Sequence, residues 1–74
     1  MATDFSTKCK ALGQLSVDRH YVNRIPNNLI EWVVLNEFIL TLAWCISMGY
    51  AEPNDKTIEL IDEAFSEYSE MTGV

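Results

Sequence analysis

Between Leu29 and Tyr50 the chain is apolar on nearly every side. Leu29, Ile30, Trp32, Val33, Val34 and Leu35 are followed by Phe38, Ile39, Leu40, Leu42, Ala43, Trp44, Cys45, Ile46 and Met48, and only Glu31 and Glu37 carry charge. A helix that is hydrophobic around most of its circumference has to be covered on most sides. Crossing a bilayer takes about 20 consecutive apolar residues. Here Glu31, Asn36 and Glu37 interrupt the run, and a carboxylate at the bilayer centre costs a few kcal/mol. Burial within protein, rather than in a membrane, is therefore expected. Asn36 competes with the helix for backbone hydrogen bonds, so a kink or a division into two shorter helices is expected there. Gly49 suits the left-handed position that closes a helix.

The flanking segments are also helical in pattern. In the first, spanning residues 3–19, Phe5, Cys9, Leu12, Ser16 and Arg19 share one face with Ala11 and Leu15 beside them, and Thr3 or Asp4 can cap the first turn. Gly13 weakens its interior. Residues 20–28 read as a connection: Arg24-Ile25-Pro26 breaks a helix, and Asn27 or Asn28 offers the next cap. The third segment restarts after Pro53-Asn54-Asp55 and is expected to run from about Asp55 to Met71, stopping at Gly73. Ile58, Ile61, Ala64, Phe65, Tyr68 and Met71 form its apolar face; Glu59, Glu63, Glu67 and Glu70, with Asp62 beside them, form the opposite stripe. Seventy-four residues without strand alternation of any length predict one all-α domain, a compact bundle of three to four helices.

Charge is distributed unevenly. Residues 52–74 hold seven acids and Lys56, while residues 1–51 balance, so the whole net charge of −6 lies in the last third. No cluster of Lys and Arg is present, which argues against direct nucleic-acid binding. Catalysis lacks a constellation: His20, the single histidine, reads as an exposed loop residue, and no glycine-rich phosphate loop or nucleophile elbow occurs. Calcium ligands sit in flexible loops and di-iron sites use Glu-x-x-His motifs; neither pattern is found, so no metal or cofactor is expected. Cys9 and Cys45 lie in apolar surroundings and read as reduced core thiols. Residues 1–6 lack the basic and apolar regions of a signal peptide, which points to a cytoplasmic chain.

The acidic stripe has a bland reading, a solvated face that keeps a small apolar protein in solution. It also has a functional one. Like charges at i, i+4 repel, and a stripe serving solubility alone could mix signs. A field of one sign steers association with a basic partner. Trp32 and Trp44 are by default core residues; left exposed, they would anchor a partner or a homodimer seam.

Asn36-Glu37-Phe38-Ile39-Leu40-Thr41-Leu42-Ala43-Trp44, then Ile61-Asp62-Glu63-Ala64-Phe65, with Lys8-Cys9-Lys10-Ala11-Leu12-Gly13-Gln14-Leu15 as opening helix, resemble a group of small acidic proteins of bacteriophages. That group carries an Asn-Asp pair, then Leu-Pro-Leu-Ala-Tyr, then a final helix with Ile-x-Glu-x-Phe or Trp. This chain has Glu37, Thr41 and Trp44 where the group has Asp, Pro and Tyr, and the lost proline favours a continuous second helix. The resemblance implies origin and fold; the group has no established activity, and no functional residue carries over from it. Together these readings lead to an expected function: a non-enzymatic, phage-type protein in the cytoplasm of a bacterial host. It would bind and inhibit or redirect a host protein with a basic surface that handles nucleic acid, such as an RNA polymerase, a nuclease or a CRISPR effector. The expected contact residues are Glu59, Asp62, Glu63, Glu67, Glu70, Trp32 and Trp44. The alternative is a homo-oligomeric assembly protein whose acidic helix only solubilises it.

Overall fold

A computed structural model describes residues 4–73. Among these residues there are four α-helices and no strand: α1 (Phe5–Val17), α2 (Ile30–Leu35), α3 (Glu37–Ser47) and α4 (Asp55–Thr72). The expected all-α bundle is therefore found. Asp4 caps α1, its carboxylate accepting the Thr7 amide at 2.8 Å; Thr3, the other proposed cap, lies outside the described residues. Asn54 caps α4 by accepting from both the amide and the hydroxyl of Thr57 at 2.9 Å.

The first helix does not end where the sequence suggests. After Val17 the chain widens into a π-helical turn, Asp18–Val22, closed by Asn23 at φ 54°. Asparagine tolerates that left-handed geometry better than most residues. His20 thus belongs to a helical turn rather than to a loop. Asn27 and Asn28 correct a second expectation: neither caps α2 by its side chain. With Leu29 they form a 3₁₀ turn whose product is the burial of Leu29.

The apolar stretch breaks at Asn36. Its backbone amide and its side-chain Nδ2 both donate to the Trp32 carbonyl, at 3.0 and 2.9 Å, while its own carbonyl accepts from Leu40 at 3.0 Å. One residue therefore closes α2 and opens α3, and the two arms meet at 85°. A continuous second helix, which the missing proline favoured, is not formed. Among the described residues no single helix is long and apolar enough to cross a membrane.

Gly49, at φ 80°, ends α3 in a Schellman motif. The Tyr50 amide reaches the Cys45 carbonyl at 2.8 Å and the Gly49 amide reaches Ile46 at 3.1 Å. The apolar contact that accompanies such motifs is the Tyr50 ring set edge-on to Trp44, centroids 5.5 Å apart.

The core draws on all four helices: Cys9, Leu12 and Leu15 from α1, Trp32 and Val33 from α2, Leu40 and Ala43 from α3, Ile61 and Ala64 from α4, joined by Leu29. The most extensive pairing is between α1 and α3. Gly13 makes it possible. A Cβ at this position would lie 2.8 Å from Trp44 Cα and 3.1 Å from its amide nitrogen, so the two helices cross with no side chain between them.

Candidate functional site

Helix α4 lays Ile61 and Ala64 into the core and half-buries Ile58, Phe65 and Tyr68. The helical period then turns Glu59, Glu63, Glu67 and Glu70 outward, and all four are exposed. Two of the five predicted acids are engaged within the molecule. Lys8 Nζ donates to Asp62 Oδ1 at 3.0 Å, and the same ammonium lies 5.8 Å from the centre of the Phe65 ring. Trp32 Nε1 donates to Glu67 Oε1 at 2.8 Å. Asp62 and Glu67 therefore tie α4 to α1 and α2, which corrects the expectation of a stripe wholly turned to solvent. Glu59, Glu63 and Glu70 meet no cation among the described residues.

The tryptophans separate. Trp32 is 9 % exposed and packs against Tyr68 at 6.1 Å, so it is a core residue and not a surface anchor. A buried indole N–H needs an acceptor, and Glu67 supplies it. Trp44 is half-buried. The apolar surface lies elsewhere: Leu35 is 76 % and Phe38 73 % exposed on either side of the Asn36 break, and Ile30, Val34 and Met48 are exposed beyond them. The composition marked this stretch as hard to cover. It did not mark which flank stays open, because that depends on the elbow.

The seam between the end of α1 and the start of α3 holds groups that the sequence reading set aside. His20 Nε2 lies 2.6 Å from Glu37 Oε1, and Arg19 Nε lies 3.8 Å from the same oxygen. A cavity of about 410 Å³ opens next to them, lined by Ser16, Val17, His20, Tyr21, Thr41 and Trp44. No local sequence signal identifies this pairing, since His20 and Glu37 are 17 residues apart and meet only through the helix crossing.

Chemistry at the cysteines is muted. Cys9 is buried, and desolvation first, then the nearby Asp62 carboxylate, push its thiol above the ordinary range. Cys45 is half-buried, and both thiols are free. Among the described residues no group of three or more His, Cys, Asp or Glu side chains is placed to hold a metal ion. The chain matches no family model, no curated protein and no solved structure.

Proposed function

We propose that this chain is a non-enzymatic binding protein that docks α4 on a basic surface of a protein partner. A phage-type inhibitor of a host RNA polymerase, nuclease or CRISPR effector would work in this way, occupying a surface that otherwise holds nucleic acid. The observation that carries the reading is the row Glu59, Glu63 and Glu70, exposed on one side of an 18-residue helix and without a cation to neutralise it among the described residues. Glu59 and Glu63 stand one turn apart and repel, a cost that a purely solubilising face could avoid by mixing signs. Opposite charge on a partner converts that cost into faster association.

The test is capture from bacterial lysate by the immobilised protein at low and at high salt. A partner that is held at low salt, elutes as salt rises, and is lost by the Glu59→Gln/Glu63→Gln/Glu70→Gln variant supports the reading. Capture that is indifferent to both salt and the triple substitution rejects it. The variant leaves Asp62 and Glu67 in place, so the contacts that dock α4 are preserved.

A second reading, self-association, is favoured by the exposure of Leu35 and Phe38. Contiguous exposed apolar surface on a small protein commonly marks an interface. A sedimenting mass twice that of the monomer at every salt concentration, restored to monomer by Phe38→Glu, would establish it.

A further inference from the structure

We propose that the seam between α1 and α3 is a binding site for a neutral, planar aromatic small molecule with a hydrogen-bonding edge. This inference is independent of the docking role of α4. The site lies in the groove between α1 and α3, which run antiparallel and meet at two points on either side of it. At one end Gly13 lets the helices touch at the Trp44 backbone. At the other, on the π-helical turn, His20 meets Glu37 of α3 at 2.6 Å. The cavity lies between these pins, and its volume of about 410 Å³ falls within the span typical of small-ligand pockets. π-Helical turns are frequent at functional sites.

The lining selects the ligand. Trp44 and Tyr21 offer aromatic faces, which favour a flat ring by stacking. Ser16, 8 % exposed, lines the cavity with a small polar side chain. A polar ring edge would find a hydrogen-bond partner in the Ser16 hydroxyl, with Thr41 at the mouth as a second hydroxyl. Charge decides the rest. Glu37, beside the cavity, lies 2.6 Å from His20 and 3.8 Å from Arg19, whose Nε makes no hydrogen bond there; these charges offset one another, so an ionic ligand would lose hydration for little net counter-charge. The negative field of the whole chain further disfavours anions.

The experiment is titration of the full-length, isotope-labelled protein with indole and with adenosine, followed through its backbone amide resonances, with adenosine monophosphate as the anionic control. Saturable shifts confined to residues 16–21 and 41–44, with the monophosphate binding more weakly than the nucleoside, are expected. Thr41→Trp, a substitution at an exposed position, should fill the mouth and abolish the shifts while the helical circular-dichroism signal is kept. Ser16→Ala should weaken binding about two- to tenfold, the worth of one hydrogen bond. Three results overturn the proposal: no saturable shift with either ring compound, shifts centred instead on Leu35 and Phe38, or unchanged shifts in the folded Thr41→Trp protein.

Discussion

At the scale of single residues, two small side chains make the clearest demands. Gly13 sits mid-helix, where alanine is ordinarily better by about 1 kcal/mol. Here the added methyl would meet the Trp44 main chain at 2.8 Å, and backbone cannot rotate out of the way. Overpacking of this kind costs about 1–3 kcal/mol, so Gly13→Ala should destabilise the protein in chemical denaturation despite the gain in helix propensity. The sequence marks Gly13 as a weak point in α1; that it is a contact depends on a residue 31 positions away in the chain. Cys9 gives a second prediction. Its thiol is raised by burial and by Asp62, so in the native state a thiol-specific reagent should modify Cys45 well before Cys9. Because the folded state holds the Cys9 proton more tightly than the unfolded chain does, its contribution to stability is intact below the ordinary thiol range. That contribution fades as pH rises through the elevated folded value. Urea melts at neutral and alkaline pH would show the loss, and Cys9→Ala would remove the pH-dependent part.

At the scale of elements, local chemistry was largely readable. The caps Asp4 and Asn54, the stop at Gly73 and the division at Asn36 each rest on a residue whose own side chain or backbone preference does the work. Asn54→Ala should cost about 1 kcal/mol, as a lost N-cap does, read from the midpoint of thermal or urea unfolding. The π-helical turn was not readable, since Asp18–Val22 carries no marker of its own and its end is pinned by Glu37 from another helix. The acidic helix offers a test of purpose within one element. If Glu59, Glu63 and Glu70 serve a partner, they are poorly chosen for stability, and replacing all three by glutamine should stabilise the isolated protein by a few tenths of a kcal/mol per relieved repulsion. The gain should shrink as salt is added.

At the scale of the whole molecule, the fold leaves an acidic flank and an uncovered apolar elbow, and the former is fastened by two contacts of unequal worth. Lys8–Asp62 is partly solvated, so Lys8→Met should cost less than about 1 kcal/mol. The Trp32–Glu67 bond joins a buried indole to a carboxylate, and hydrogen bonds to charged groups are worth about 1.5–3 kcal/mol. Glu67→Ala should therefore destabilise more than Lys8→Met, and Glu67→Gln, which keeps an acceptor, should recover part of the loss; the same denaturation series measures both. Neither contact was legible beforehand, because amphipathic spacing assigns a residue to a face without saying what reaches that face from the next helix. The bare crossing at Gly13 adds a mechanical corollary. Turning or sliding α1 until any other residue took the place of Gly13 would set a Cβ against the main chain at Trp44, so the pair resists shear like a notched joint in a timber frame. A load applied to the acidic helix by whatever grips it would be taken up at the Lys8 and Trp32 fastenings, leaving the frame square.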